Sequence, residues 1–524
     1  PSTAPQTNPA TPYIHMKSAL NKGVIEKMGK QTHRIFLIAM VFSQMQLVYA
    51  ADLLQIYQDA KTQDPIFSSA QAAYQAGQER LPQGRAGLLP SVNISANATH
   101  SYTKSDGTPA AYYDSSGYTL TLSQPLYRSQ NLATYQQAKQ QVLQAEAQFS
   151  AAHQDLILRV AQIYFDVLLA QDNVTVSQAQ KNAFAEQLAQ AKQNFKVGTA
   201  TITDTNEAQA RYDQAIAKEI VDLNDLEIKR QALQQLIAKI PEQLTPLKDP
   251  LTLVSPTPNN INEWVAASEQ NNQTLTVLKA GVEIAKSEVQ KQRAGYLPSV
   301  DLVASYNSSR NAFADVFGSR VDLKTSQIGV QVTLPLYAGG GTQSRVREAL
   351  ANQDKSNFDL EANRRSVAQS TRTAFLGVTS GITQVQALEQ ALKSSQVSLD
   401  STKLGREVGV RTSLDVLNAE QQVFQARRDL LQARYNVILN QLKLKSAAGQ
   451  LNDGDLVEVN KLLQEPQAVA MDASPALKLS HFLSSKSLVA IYRRESSSNS
   501  RTAAIKPPRD NNDQKISGEL VSLN

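Results

Sequence analysis

The chain repeats itself: three short phrases occur twice, in the same order, with about 210 residues between the copies. The best preserved is Arg-Ala-Gly-Leu-Leu-Pro-Ser-Val, which begins at Arg85 and returns with a single change from Arg293. The matched segments are residues 85–92 with 293–300, 118–127 with 328–337, and 197–204 with 408–415. Three collinear matches indicate a duplicated structural unit, and such a repeat decides the architecture before any local prediction.

The composition argues against several classes of protein. The 524-residue chain has no cysteine, so we expect neither disulfides nor a lipoprotein anchor, which needs a thiol. A hydrophobic content of 41% and a mean hydropathy of −0.34 are too low for a helical membrane protein. The net charge of +5 comes from the two basic ends, and the body between them is slightly acidic. The body therefore lacks a basic surface suited to nucleic acid.

A segment near the start has the features of a secretory signal peptide. Met28 is followed by two cations, an apolar run over residues 35–42 and a small-x-small cleavage motif at residues 48–50. The run is far shorter than the ~20 residues of a membrane-spanning helix, which makes an anchor helix the weaker alternative. We expect residues 28–50 to be removed on export. Residues 1–27 form an N-terminal extension of unclear role, and the true translation start can lie after them.

Each repeat is predicted to contain a helical segment, two strands and two long helices. In the first repeat the helical segment covers residues 52–83, the strands 92–98 and 118–122, and the long helices 129–196 and 204–239. In the second repeat the corresponding segments are 262–292, then 297–309 and 327–337, then 343–406 and 413–448. Alternating apolar and polar residues predict the strands, and apolar residues three or four positions apart predict the helices.

These elements divide the chain into a first repeat over residues 51–238 and a second over 262–450. A proline-rich linker at residues 239–261 connects them. Residues 451–524 form a C-terminal region that is rich in Ser, Asn and Lys from about Pro466. We expect most of it to be a disordered basic tail, because such a composition cannot bury enough apolar surface to fold.

The longest predicted helix has the pattern of a coiled coil. Residues 129–196 include no proline and no glycine, and apolar residues recur at steps of three and four with one stutter. This seam consists of Ala138, Val142, Ala145, Phe149, Ala152, Leu156, Val160, Ile163, Val167, Ala170 and Val174. At ~1.5 Å per residue the helix would be on the order of 100 Å long, which is unusual for a globular enzyme.

The four predicted strands each have one apolar and one polar face. Strands that cross a bilayer must close into a barrel so that every backbone group is hydrogen-bonded, and known barrels begin at about eight strands. One chain supplies only four strands, so closure of a barrel requires several chains. Two chains would supply eight strands, which is the minimum. The alternative is a set of soluble strands on a helical protein. A strand length of roughly ten residues, the export signal and the flanking long helices favour the barrel.

Three phrases in the long helices carry a resemblance to a known family. They are Phe-Lys-Val-Gly-Thr-Ala-Thr-Ile-Thr-Asp at 195–204, Gly-Val-Arg-Thr-Ser-Leu-Asp-Val-Leu at 409–417 and Ala-Arg-Tyr-Asn-Val-Ile-Leu-Asn-Gln-Leu at 433–442. Together with the duplication, they make the chain similar to the TolC family over roughly residues 51–460. This family comprises the outer-membrane channel-tunnels of Gram-negative bacteria.

The resemblance implies a mainly α-helical fold with a β-barrel portion. Three copies would each contribute four strands to a twelve-stranded outer-membrane barrel, and their long helices would continue as a tunnel through the periplasm. Family members export drugs, detergents or secreted proteins together with a periplasmic adaptor and an inner-membrane transporter of the RND, ABC or MFS type. The implied partners are these proteins and outer-membrane lipid. The resemblance implies no cofactor and no enzyme chemistry.

The resemblance also implies a gate at the periplasmic end, where helix pairs close like an iris. Asp204 matches an acid of the family's polar latch, Arg411 matches the arginine that reaches it, and Thr203 matches a neighbouring partner. Charge-assisted hydrogen bonds suit a latch because they are directional and can be replaced when an adaptor offers competing contacts. For Asp204 taken singly, a surface ion pair or a helix cap is the better explanation. The paired phrases favour the latch.

Asp415 matches the acid at the family's aperture. Three copies would form a ring of carboxylates that favours cations and whose proton affinity is raised by mutual repulsion. A member of the family has a second acid one turn later, where this chain has Asn418, so we expect weaker cation selectivity and weaker block by multivalent cations. Arg406 is a second departure, because the family commonly has an aromatic there, as the first repeat has Phe195. A latch contact through a tyrosine hydroxyl is therefore absent.

The turns between the long helices contain Val197-Gly198 and Val408-Gly409. The resemblance implies that these pairs are hairpin tips facing the adaptor. Valine followed by glycine also suits a plain turn, and the two roles are compatible.

Other signals have simple explanations. The glycines at 339–341 lack a following Gly-Lys-Ser/Thr, so a strand-to-helix turn explains them better than a phosphate loop. The five histidines do not have metal-ligand spacing. The competing function is an exported coiled-coil scaffold or periplasmic adaptor without channel activity. An adaptor should carry a lipoyl-like β domain and one helical hairpin, which two interleaved helical units do not match.

Overall fold

The structure is a computed structural model that describes residues 50–464, apart from short gaps at residues 105, 108–109, 240–242 and 312–320. Residues 1–27, residues 28–49 of the predicted signal peptide and the predicted disordered tail from residue 465 onward lie outside the described residues.

The described elements follow the predicted order twice. The helices of the first half are α1 (Leu53–Gln63), α2 (Pro65–Gln78), α3 (Arg80–Ala86), α4 (Ser129–Lys196) and α5 (Ile202–Ile237). Those of the second half are α6 (Ile261–Asn271), α7 (Gln273–Arg293), α8 (Gly341–Glu407), α9 (Ser413–Ala447) and α10 (Asp453–Asn460). The strands are β1 (Ser91–Thr103), β2 (Ala111–Tyr127), β3 (Ser299–Asn311) and β4 (Val321–Thr333).

Two predicted helices are interrupted. The segment 52–83 breaks at Glu79, between α2 and α3, and at Asp64, whose carboxylate accepts hydrogen bonds from the two amides after Pro65, each at 3.2 Å. The segment 262–292 breaks at Asn272, whose side chain caps α7. At Asp64 and Asn272 a side-chain oxygen supplies the acceptor that the new helix start requires, whereas Glu79 makes no capping hydrogen bond. The periodic pattern therefore predicted helical structure correctly and missed the caps inside it.

The four strands form one antiparallel sheet in chain order, in which β2 of the first half pairs with β3 of the second. One face is apolar and exposed, as at Ile94 (72%) and Ile328 (77%). The other face is polar, with Asn93 opposite Thr121. Among the described strands, β1 and β4 each have a single neighbour, so each has one unpaired edge.

The fourth strand is shifted from its predicted position. It begins at Val321 rather than residue 327, because it pairs with β3 over that strand's whole length, from Asn311 opposite Val321 to Ser299 opposite Thr333. It ends two residues before Pro335, which has no amide hydrogen for a ladder.

An ion pair joins the two halves of the chain where the sheet meets the helices. Arg128 lies between β2 and α4, and its Nε and Nη2 donate to the two carboxylate oxygens of Asp301 on β3 at 2.8 and 2.7 Å. The Asp301 side chain is 8% exposed. This bidentate contact fixes the direction in which α4 leaves the sheet.

The long helices form two hairpins, α4 with α5 and α8 with α9. The predicted seam of α4 is buried most continuously between Leu156 and Val174, where it contributes to the largest apolar core with α1, α9 and α10. Tyr164 of this core donates to the carbonyl oxygen of Thr245 at 2.8 Å, so the proline-rich segment packs here. Within the described ranges, no helix is both long and apolar enough to cross a bilayer.

Candidate gate and aperture

The tips of the two hairpins have the same backbone geometry. Gly198 and Gly409 have φ angles of 78° and 81°, in the left-handed region that favours glycine. Each glycine amide donates to the carbonyl oxygen three residues earlier, at 3.1 Å in both turns. The preceding valines, Val197 and Val408, are 63% and 67% exposed. The turn role is therefore fulfilled within one chain, and the valines are accessible to a partner.

Asp204 belongs to a reciprocal capping box at the start of α5. Its Oδ2 accepts from the amide of Thr201 at 2.9 Å and from the hydroxyl of Thr201 at 2.8 Å. Its own amide donates to the Thr201 hydroxyl oxygen at 3.2 Å. Thr203, one residue earlier, is exposed. Within a single chain, Asp204 thus has a helix-capping role, close to the alternative that its sequence position suggested.

Arg411 follows the second hairpin tip and is exposed. Its amide donates to the carbonyl oxygen of Gly405 at 3.1 Å, and its side-chain stem lies beside that glycine. Its guanidinium makes no hydrogen bond or ion pair with Asp204 or with any other residue that the structure describes. The two predicted latch residues are therefore not brought together inside one chain.

Asp415 forms the equivalent capping box at the start of α9. Its Oδ2 accepts from the amide and the hydroxyl of Thr412 at 2.8 and 2.9 Å. These two hydrogen bonds, with a smaller attraction from Arg411, hold the pKa of Asp415 below its usual value. Mutual repulsion in a ring of three such acids would act in the opposite direction.

Asn418 is not a free amide at the predicted aperture. Arg211 of α5 donates from Nη2 to the Asn418 side-chain oxygen at 3.0 Å and from Nη1 to that of Gln421 at 2.6 Å. Asn418 and Gln421 are exposed, and Arg211 is half-buried. Sequence reasoning missed Arg211, because it lies 207 residues from Asn418 and has no motif of its own.

Four polar side chains, here termed the brace, connect α4, α8 and α9 near the hairpin tips. Arg406 donates from Nη1 to the side-chain oxygen of Gln187 at 2.8 Å, and Gln187 Nε2 donates to Glu420 Oε1 at 3.3 Å. Lys403 Nζ lies 3.0 Å from the same Glu420 oxygen. Arg406 thus has a partner in its own chain, at the position where the family commonly has an aromatic.

Further polar contacts join the same helices closer to the core. Arg428 of α9 donates from Nη2 to the side-chain oxygen of Gln180 on α4 at 2.6 Å, and burial lowers the pKa of Arg428. Asp222 of α5 pairs with Lys218 of the same helix at 2.6 Å, and its charge also attracts Arg428 of α9. Buried polar groups therefore connect the two hairpins, and a relative movement of the hairpins must rearrange them.

The described residues offer no metal site. They contain no group of three or more His, Asp or Glu side chains placed to hold a metal ion. A cavity of about 450 Å³ lies beside α9 and α10 and is lined partly by Trp264 and Lys445. The Lys445 ammonium is already paired with Asp455 at 2.6 Å and Glu458 at 3.1 Å.

Comparison with known proteins agrees with this architecture. The family model described as outer membrane efflux protein matches residues 56–239 and 264–450. The chain is 33% identical over 427 residues to outer membrane protein TolC of Vibrio cholerae. This alignment covers 81% of this chain and 97% of the relative. It is 31% identical over 417 residues to alkaline protease secretion protein AprF of Pseudomonas aeruginosa, with coverage of 78% and 86%.

Solved structures share the fold. CusC superposes with a TM-score of 0.67 at 19% identity, over 76% of this chain and 92% of that chain. VceC of Vibrio cholerae gives 0.66 at 20% identity, over 76% and 96%. Long paired helices joined to a one-sided apolar sheet define an outer-membrane channel with a helical tunnel and a β-barrel portion. The chain belongs to the outer membrane efflux protein family. Members of this family are channels in the outer membrane that serve efflux and secretion.

Proposed function

We propose that three copies of this chain close a twelve-stranded barrel in the outer membrane and form the exit duct of a tripartite system. The single observation that carries this proposal is the sheet, whose β1 and β4 edges are unpaired among the described strands and whose apolar face is exposed. Edge strands in a bilayer require partners, and a second and third copy supply them by pairing β4 of one chain with β1 of the next. Residues 51–238 and 262–450 are then the duplicated units of each subunit.

The duct opens at its periplasmic end by an iris-like movement of the hairpins. Asp204, Thr203 and Arg411 form its latch between neighbouring chains. Two features support this assignment: Arg411 has no side-chain partner among the described residues of its own chain, and the capping contacts of Asp204 use only Oδ2. Its Oδ1 can therefore accept from an arginine of the next subunit without loss of the helix cap.

The partners of the duct are a periplasmic adaptor, which meets the exposed valines Val197 and Val408, and an inner-membrane transporter of the RND, ABC or MFS type. Relatives that match most of the chain include proteins named for protease secretion and one named for efflux. The cargo is accordingly a drug-like small molecule or a protein secreted by a type I system. The duct itself carries out no catalysis.

Single-channel conductance in a planar bilayer tests the proposal. We expect a low conductance for the wild-type protein and a several-fold increase for the Arg411→Ser, Asp204→Ala double variant. Thr201→Ala is the control for a weakened helix cap, and Arg365→Ser with Glu361→Ala removes an exposed ion pair of 2.8 Å at a distant point of α8. High conductance in both proteins would retain the duct and reject the latch. A correctly inserted oligomer without conductance would reject the channel and support the coiled-coil scaffold.

A further inference from the structure

The guanidinium of Arg211 lies over the side chains that follow Asp415 on one face of α9. Asp415, Asn418 and Gln421 follow one another at intervals of three residues, so each side chain neighbours the next, about one turn further along the helix. Arg211 reaches them from α5 with two hydrogen bonds, at 3.0 Å to Asn418 and 2.6 Å to Gln421. Two contacts from one planar group fix its position more firmly than a single contact does.

Arginine introduces a charge that no change of pH in the working range removes, because the guanidinium group is not deprotonated in proteins. Arg211 therefore adds a fixed positive charge at Asn418, one helical turn beyond Asp415, while Arg411 is the cation that attracts the Asp415 carboxylate itself. Neither Asn418 nor Gln421 can neutralise the charge of Arg211, because both are uncharged. If the acid alone defined this region, the local charge would be negative, whereas Arg211 and Arg411 both add positive charge to it.

We propose that Arg211 is a selectivity-determining residue of the aperture, which gives the constriction a ring of cations next to its ring of acids. The inference rests on the proposed function, because it requires that Asp415 faces the pathway of three assembled chains. With both rings present, the constriction does not exclude anions. Its substrates accordingly include anionic molecules, such as carboxylates and sulfonates, that a doubly acidic aperture would repel.

A purely structural role for Arg211 makes a different prediction. A structural contact between α5 and α9 depends on the two hydrogen bonds of Arg211, whereas ion selectivity depends on the charge of Arg211. Arg211→Lys keeps the charge and loses the planar fork, while Arg211→Gln keeps a polar side chain and loses the charge. The two substitutions therefore separate electrostatics from helix attachment.

The experiment is the reversal potential of the trimeric channel in a planar bilayer under a KCl gradient. We expect Arg211→Gln to raise the cation-to-anion permeability ratio several-fold and Arg211→Lys to leave it near the wild-type value. Arg365→Gln is the matched control, because it removes the charge of an exposed arginine far along α8 and should not change the ratio. Asp415→Asn should lower the ratio and establishes whether the acid faces the pathway.

If Asp415→Asn lowers the ratio and Arg211→Gln does not raise it, Arg211 is only a helix tie and the inference is wrong, while the aperture stands. If neither changes the ratio, the aperture assignment is wrong as well. A second measurement compares block by hexaamminecobalt(III) in Asn418→Asp with and without Arg211. The new acid should be neutralised by Arg211, so we expect strong block only in the Asn418→Asp, Arg211→Gln double variant. Equally strong block in Asn418→Asp alone would overturn the inference.

Discussion

Lys403 and Glu420 form an ion pair across the second hairpin, in which Nζ lies 3.0 Å from Oε1 and the Glu420 side chain is 4% exposed. The second oxygen of Glu420 is buried without a partner among the described residues. This carboxylate therefore depends on Lys403 and on the amide of Gln187 for compensation. Removal of one partner of a buried pair costs ~3–5 kcal/mol, and the 42% exposure of the Lys403 side chain reduces this toward ~1–3 kcal/mol.

The first prediction concerns this pair. Lys403→Met should lower the melting temperature of the detergent-solubilised protein and raise its conductance, because an uncompensated carboxylate loosens the contact between α8 and α9. Adding Glu420→Gln should restore much of the loss, since the buried charge is then gone. Lys355→Met, which breaks an exposed pair with Asp359 at 2.9 Å, serves as the control. An equal loss in the single and double variants would contradict the compensation argument.

The second prediction concerns Arg406, which the sequence marked as a departure from the family. Its hydrogen bond to Gln187 connects the end of α8 to α4 at 2.8 Å. Arg406→Ala and Gln187→Ala should each increase single-channel conductance, and the double variant should show no more than Gln187→Ala alone, because Gln187→Ala already removes the hydrogen bond with Arg406 together with that to Glu420. Additive effects would mean that the two side chains act separately. Gln390→Ala, on the exposed face of α8, is the control for loss of an amide.

The third prediction is a pH dependence. The pKa of Asp415 is below its usual value, so the stabilisation by its capping box is present above ~pH 4 and is lost as the pH falls through the lowered pKa. Thr412→Ala removes the hydroxyl donor and should raise that pKa. Block by hexaamminecobalt(III), which needs the ionised acid, should then disappear at a higher pH than in the wild-type channel. Thr201→Ala, which removes the equivalent hydroxyl beside Asp204, should leave the pH profile of block unchanged.

The sequence predicted the large elements well where local chemistry decides them. The longest helix was expected over residues 129–196 and is observed as Ser129–Lys196, because no proline or glycine interrupts it and Val197-Gly198 ends it. The start of β4 was misplaced, since its length follows from pairing with β3 and not from its own pattern. The short helix α10 gave no periodic signal. It is fixed by a capping box at Asn452 and by contacts with α1.

The candidate site was only partly visible in the sequence. The tips and the two capping acids, Asp204 and Asp415, belong to repeated phrases, and a pattern of adjacent residues can be read directly. The brace and Arg211 could not be read in this way. Glu420 meets Gln187 across 233 residues, and Arg211 meets Asn418 across 207. Such contacts depend on the rotation of each helix about its axis, which no local pattern specifies to the accuracy of a hydrogen bond.

The last prediction concerns the junction of the sheet and the long helices, where Arg128 donates two hydrogen bonds of 2.8 and 2.7 Å to the Asp301 carboxylate. Arg128→Lys keeps the charge but can make only one of the two hydrogen bonds to the Asp301 carboxylate. We therefore expect a loss of ~1–3 kcal/mol in stability and dissociation of the channel at a lower temperature. Asp301→Asn should have a larger effect, because it leaves the arginine without its counter-charge.

The measurement is the temperature at which the oligomer dissociates on a semi-native gel, with folded β structure followed by circular dichroism. Arg310→Lys is the matched control, since Arg310 forms an exposed pair with Asp322 at 3.1 Å in the same sheet and its loss should have little effect. The Arg128→Lys, Asp301→Asn double variant should be no less stable than Asp301→Asn alone, because the contact is already broken. If the dissociation temperature falls equally for Arg128→Lys and Arg310→Lys, the bidentate geometry of the Arg128–Asp301 contact does not stabilise the oligomer.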